Sequence, residues 1–295
     1  MTIGLTANLG RCLFVLAALH FSCGIQAEND YLSIKFSKKN QLKTGMVWMQ
    51  FKPKLILAKK QRKNWFQKVT GNDQKPKQVH TSAAKKNEES LPQAAVGKLF
   101  YTKSDGQIAN CSAAFAGGPD IIVTAAHCVM SANGDWNGNF LFIRSYGSEH
   151  HDVYAIECIA TPGEWGERSG DLLGFDYAFL RANRIATSGN LDITDRRPPS
   201  RLMLIGYSDS HRNGRKMMQL DVRVIKEAPG RVGSRKHPMG AGSSGSPWLA
   251  QKTVYSVSSY YNADEQGVMW GPRLSENTLH LASYTRNGCE DSNPI

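Results

Sequence analysis

Ser244 stands in the run Gly242-Ser243-Ser244-Gly245-Ser246-Pro247. Glycines around a hydroxyl permit a sharp turn that exposes the oxygen and aims backbone N–H groups at its surroundings. A nucleophile and a set of N–H donors are what acyl transfer needs. A serine hydroxyl alone is a poor nucleophile, so the reading also requires a base and a group to orient it. His127, in Thr124-Ala125-Ala126-His127-Cys128, offers the imidazole, and Asp176, in Gly174-Phe175-Asp176-Tyr177-Ala178, offers the carboxylate. In that chemistry Ser244 attacks a carbonyl, His127 takes its proton and returns it to the leaving group, and Asp176 holds the imidazole in one tautomer.

Such residues must be held by rigid elements. From Ala94 onward, short apolar runs alternate with Gly, Asn and Asp turn signals. Strands are expected over 95–102, 108–115, 121–124, 140–146, 153–160 and 177–181, and again over 201–206, 217–226, 247–250, 254–261, 268–270 and 278–284. No long stretch shows helical periodicity. Many short strands with frequent turns indicate an all-β sandwich or barrel, and the pattern alone does not choose between them.

The net charge of +11 is unevenly placed. Residues 28–93 hold fifteen Lys and Arg against five Asp and Glu, whereas residues 94–295 hold twenty of each. The body is neutral, so no basic face for nucleic acid is expected there. The N-terminus reads as a secretory signal over 1–27: Arg11 precedes an apolar run at 12–21, too short to span a bilayer, and Ile25-Gln26-Ala27 resembles a cleavage site. His20 stands where a lipid-attachment site at Cys23 would want an aliphatic residue, so no membrane anchor is expected. Export implies paired cysteines. The basic stretch 28–93 contains Trp48 and Trp65, unusual in a linker, and its place between signal and body suits a pro-segment.

Together the motifs Thr-Ala-Ala-His-Cys and Gly-x-Ser-Gly-Ser-Pro, and the chain order His–Asp–Ser, resemble the trypsin/chymotrypsin-like serine peptidases, above all the secreted V8-like, glutamyl endopeptidase-type branch. The resemblance covers about residues 94–295. It implies two Greek-key β-barrels, the first about 94–185 and the second about 195–295, with the active site between them. It also implies a His127–Asp176–Ser244 triad and an oxyanion hole built from the N–H groups of Gly242 and Ser244. It further implies a Cys111–Cys128 disulfide that closes the histidine loop. Cys158 and Cys289 are left over; four cysteines allow three connectivities, and the sequence does not choose. The expected activity is that of a secreted, monomeric serine endopeptidase acting on polypeptides, with no cofactor and no metal.

The chain departs from trypsin-type enzymes at Ser243, where those carry an aspartate that pairs with a newly cut N-terminus. That switch is therefore not expected. The pocket base, counted six residues before Ser244, falls at Pro238 and Met239, with Ser259, Tyr260 and Tyr261 as walls. None is acidic, so small or medium uncharged residues are the expected cleavage preference. His237 is the nearest substitute for the histidine that glutamyl endopeptidases use.

Rival motif readings are weaker. Gly240-Ala241-Gly242-Ser243-Ser244-Gly245 matches G-x-G-x-x-G, but Pro247 and a strand-like run follow where a helix must begin. Ser246 breaks the G-x-S-x-G elbow. Glu149, His150, His151 and Cys158 match no zinc spacing. Two further function classes remain: a catalytically silent homologue that binds polypeptides, and a polyanion-binding protein acting through 28–93.

Overall fold

The computed structural model describes residues 31–37, 91–131, 133–167, 172–186, 189–262 and 267–290. The expected signal peptide and nearly all of 28–93 lie outside these residues.

The fold is all-β with two sheets, as in trypsin-like proteases. The first contains β1 (Tyr31–Lys35), β2 (Val96–Thr102), β3 (Ile108–Phe115), β4 (Ile121–Thr124), β5 (Gly138–Arg144), β6 (Asp152–Pro162) and β7 (Ala178–Ala182). Its order is β1-β6-β5-β2-β3-β4-β7, and a further β6–β7 pairing closes six of these strands into a barrel. Closure leaves no open edge among the six. The interior is aromatic: Phe115 meets Phe142 and Tyr154 edge-on, with centroids 5.4 and 4.9 Å apart.

The second sheet contains β8 (Asp192–Ile193), β9 (Arg201–Tyr207), β10 (Met217–Ala228), β11 (Arg231–Arg235), β12 (Pro247–Ala250), β13 (Thr253–Val257), β14 (Tyr260–Asn262) and β15 (Val268–Pro272). Its order is β14-β15-β11-β10-β9-β12-β13-β8. An isolated Ser256–Arg273 bridge returns β13 to the end of β15. The core here is smaller, built on Leu202, Leu204, Met218, Val222, Val232, Met239 and Trp248. Leu191 bonds to the backbone of the first barrel at Phe115 and Gly117, and the next two residues pair with β13, so the linker stitches the units together.

Three findings differ from the sequence reading. The stretch expected as a strand at 278–284 is part of a helix, Glu276–Arg286. Its buried residues are Thr278, Leu281, Ala282 and Thr285, a helical i, i+3, i+4, i+7 stripe that two threonines hide from a hydrophobicity scan. Ser275 N–H donates to Thr278 Oγ1 at 2.9 Å and fixes the helix start. The run expected at 254–261 is two strands, interrupted at Ser258 and Ser259. Finally, the break at Ala94 does not separate the folded body from all of 28–93. Strand β1 pairs with the stretch of β6 beyond β5, from Tyr31 opposite Pro162 to Lys35 opposite Cys158. Lys35 bonds Glu290 at 2.6 Å, and Ser33 bonds Tyr284 at 3.0 Å.

Candidate active site

His127 lies in a single 3-10 turn, Ala126–Cys128, at the end of β4. The Cys111–Cys128 disulfide joins the residue after it to β3, and the second disulfide joins Cys158 to Cys289. Asp176 sits between the turn Leu172–Phe175 and β7. Because β4 and β7 are paired, with Thr124 opposite Ala178, the strand ends deliver both residues to one place. Asp176 grips His127 twice: Oδ1 accepts the backbone N–H at 2.8 Å, and Oδ2 lies 2.8 Å from Nδ1. A carboxylate only accepts, so Nδ1 carries the proton and Nε2 is left with its lone pair facing the cleft.

The Asp176 side chain is 3% exposed and that of His127 35% exposed. Burial alone would raise the Asp176 pKa, but the His127 charge, that ring's hydrogen bond, the Ser259 hydroxyl and the His127 N–H together hold it below the ordinary carboxylate value. Burial alone would lower the His127 pKa, and the Asp176 charge and hydrogen bond outweigh it, so it lies above the usual imidazole value.

Two successive turns shape the loop, and Ser244 lies in the second. Ser243 N–H bonds Gly240 O at 3.1 Å and Ser246 N–H bonds Ser243 O at 3.0 Å. The third residue of each is a glycine in the left-handed region, Gly242 at φ +84° and Gly245 at φ +79°. Turns of this shape want glycine at that position. Gly245 is needed for space as well. A Cβ there would lie 2.2 Å from Thr124 Oγ1 and 2.3 Å from Ser112 O, both in the first barrel.

The carbonyl oxygens of this loop are tied down by neighbouring backbone and side chains, and two of the residues involved, Ala241 and Asp209, also line the cleft. Ala241 O accepts Asp209 N–H at 2.8 Å, Gly242 O accepts the Ser112 hydroxyl at 3.0 Å, and Ser244 O accepts Ser112 N–H at 2.8 Å. In a trans peptide the C=O and the next N–H point in opposite directions. With Ala241 O turned to Asp209, Gly242 N–H is turned the other way. Among the described residues, neither Gly242 N–H nor Ser244 N–H has an acceptor. His127, Gly242 and Ser244 line one cleft of about 580 Å³. No hydrogen bond joins Ser244 Oγ to His127; such contacts often tighten only with substrate bound.

The sequence-derived pocket fares differently. Met239 is in the core of the second barrel and Pro238 is exposed, its carbonyl taken by Ser210 Oγ at 2.7 Å. Neither lines the cleft that His127 and Ser244 share. The Ser259 hydroxyl donates to Asp176 Oδ2. Tyr260 and Tyr261 belong to β14, opposite Trp270 and Met269. Both ring nitrogens of His237 are buried without a hydrogen-bond partner among the described residues, and burial pushes its pKa down to about 4, so the ring is neutral at pH 7.

Sequence reasoning missed Ser112, Asp209 and Asn137. Asn137 is 4% exposed and lines the cleft; its Nδ2 donates to Cys128 O at 3.1 Å, while Oδ1 has no partner among the described residues. A hydroxyl beside a cysteine was the single signal for Ser112. Nothing local marked the other two. A Cys111, His127, Cys128 grouping has the proximity of a metal site, but both thiols are in the disulfide.

No protein-family model matches the chain, and no curated protein matches it. Solved structures do. A thermostable serine protease, AL20, from an extremophilic microorganism is 25% identical, with TM-score 0.57 over 66% of this chain and 97% of its own. The protease Anisep from Arthrobacter nicotinovorans is 21% identical, with TM-score 0.55 over 68% of this chain and 99% of its own. A Glu endopeptidase is 13% identical, with TM-score 0.58 over 74% of this chain and 99% of its own. The chain therefore has the fold of trypsin/chymotrypsin-like serine proteases.

Proposed function

We propose that this protein is a secreted serine endopeptidase that cuts polypeptides through an acyl-enzyme on Ser244. The observation that carries the reading is the pair of unpartnered N–H groups at Gly242 and Ser244, in the same cleft as an imidazole whose proton is held by Asp176. His127 Nε2 accepts the Ser244 proton as the hydroxyl adds to the scissile carbonyl. The two N–H groups receive the negative oxygen, and Asp176 stabilises the imidazolium. His127 then protonates the leaving amine. Water, deprotonated by the same ring, releases the acyl group. The Ser259 hydroxyl on Asp176 helps keep that carboxylate ionised.

Two disulfides support an oxidising compartment and export. Kinship with the V8-like branch rests on the motifs. For processing, removal of 28–93 in one piece would strip β1 from the first barrel. The reading that fits is excision downstream of β1, with Tyr31–Lys35 retained. N-terminal sequencing of the exported protein should then find a terminus near Glu28 beside a second one; a lone terminus at 85–95 would reject it. The function itself is tested by fluorophosphonate labelling, with the modified residue located by mass spectrometry, alongside digestion of casein. Labelling at Ser244 with casein cleavage is the expected result. Labelling without cleavage of any peptide in a library would favour the silent polypeptide-binding class.

A further inference from the structure

A buried cation lies behind the nucleophile loop. Lys98 stands in β2 within an otherwise apolar stretch, and its side chain is 2% exposed. A buried ammonium is costly unless it is paired and hydrogen-bonded. Lys98 Nζ donates to Gly214 O at 2.9 Å and lies 3.8 Å from Asp209 Oδ1. The rings of Phe100 and Tyr146 flank it, with centroids 5.6 and 5.3 Å away. The packing is tight: a Cβ on Gly214 would lie 2.5 Å from Lys98 Nζ and 2.6 Å from Asp209 Oδ1.

Asp209, which also lines the cleft, is the middle of three residues that hold the loop. Its N–H takes Ala241 O at 2.8 Å. The Ser208 hydroxyl accepts Gly240 N–H at 2.9 Å, and the Ser210 hydroxyl donates to Pro238 O at 2.7 Å. We propose that Lys98 and Asp209 are positioning residues for the oxyanion hole: the buried Lys98 ammonium, facing the partly exposed Asp209 carboxylate, fixes the Ser208–Ser210 segment, and that segment sets the Ala241–Gly242 peptide with Gly242 N–H towards the cleft. This rests on the acyl-transfer reading and adds how the hole is built. A peptide turned over by half a rotation would put a carbonyl where the oxyanion must sit. Ser243 has no charge and bonds locally, through Oγ to Gly240 O at 2.6 Å. Support for the loop thus comes from a lysine inside the chain, so the hole forms without a newly cut N-terminus.

The test uses the full chain and a fluorophosphonate probe, whose phosphoryl oxygen enters the hole as the serine reacts. Lys98→Met keeps the length and removes the charge. Asp209→Asn keeps the N–H and removes the charge at a side chain that is 42% exposed. Loss of one oxyanion donor costs about 10²–10³ in rate, so a displaced donor should cost about 10–10². The limiting labelling rate should fall by that factor in each variant. The probe's half-saturation concentration should stay within about 3-fold, and the double variant should be little worse than either single. A purely structural role would lower melting temperature without this split. If Lys98→Met does not fold, Asp209→Asn carries the same readout. Folded variants that label at the wild-type rate overturn the brace and leave the peptidase reading standing. A wild-type chain that takes no label at Ser244 overturns that reading, and the brace with it.

Discussion

The two barrels hold their parts of the site by different means. The first is closed, has the larger aromatic core, and presents His127 and Asp176 from the ends of two paired strands. A disulfide and a carboxylate 3% exposed leave those residues little freedom. The second has a smaller core and presents Ser244 from a loop of two glycine turns fixed by hydrogen bonds, two of them from Ser112 in the first barrel. His127 is thus positioned by packing and covalent bonds, and Ser244 by polar contacts across the interface. Packing resists distortion because a core tolerates few voids. A turn held by single hydrogen bonds, each worth about 1 kcal/mol net, is more easily reshaped.

The contrast is broken most severely at the nucleophile. Ser244→Ala should abolish burst-phase acylation, with turnover falling by about 10⁶-fold in this mechanism, while the melting temperature hardly moves. Near-normal turnover would end the serine mechanism. Asp176→Asn should cost about 10⁴-fold by favouring the wrong His127 tautomer. Unlike the serine change it should also lower stability, because a buried hydrogen-bonded group is disturbed. A variant as stable as the parent would show that the first barrel does not depend on this contact.

Gly245→Ala strikes the interface between the barrels. It places a side chain at φ +79° and drives Cβ against Thr124 and Ser112. The backbone strain is about 1–3 kcal/mol, and a nucleophile displaced by about 1 Å loses about 10²-fold in rate. Unchanged kinetics would mean that the loop is not seated against β3 and β4. Removing the Cys111–Cys128 bond with paired alanines tests the covalent side. For a loop spanning 17 residues the stability loss should be about 3 kcal/mol, read by denaturant unfolding, with Ser244 labelling retained in the folded fraction.

The smallest effect is in pH. His127 must be neutral to act as a base, and its pKa is held above the ordinary value of about 6.5 by Asp176. The acid limb of kcat/KM should therefore have its midpoint above pH ~6.5 and shift downward in Asp176→Asn. A limb centred below that value in the parent would show that the ion pair does not dominate. The same pair contributes to stability. The raised His127 pKa gives a term fully present below pH ~6.5 and lost as pH rises through its folded value. The lowered Asp176 pKa gives a term present above pH ~3.9 and lost on acidification.

Much of this was legible in the sequence because it is local. Strands 108–115, 121–124 and 247–250 read true to the residue because each is a short apolar run between turn signals. The glycines at 242 and 245 announced turns, since few other residues adopt their backbone angles. Residue type alone singled out Ser244, His127 and Asp176 as the candidates for nucleophile, base and carboxylate. The C-terminal helix was missed because threonines occupy half of its buried stripe, and the meeting of β1 with β6 because the partners are more than a hundred residues apart. Only the tertiary structure decided which way the Ala241–Gly242 peptide faces, that Met239 turns into a core, and that Ser259 serves Asp176. Those outcomes depend on which distant atoms supply the nearest donor or acceptor. A pattern of residue types carries no distances, so it names the chemistry and leaves its aim to the fold.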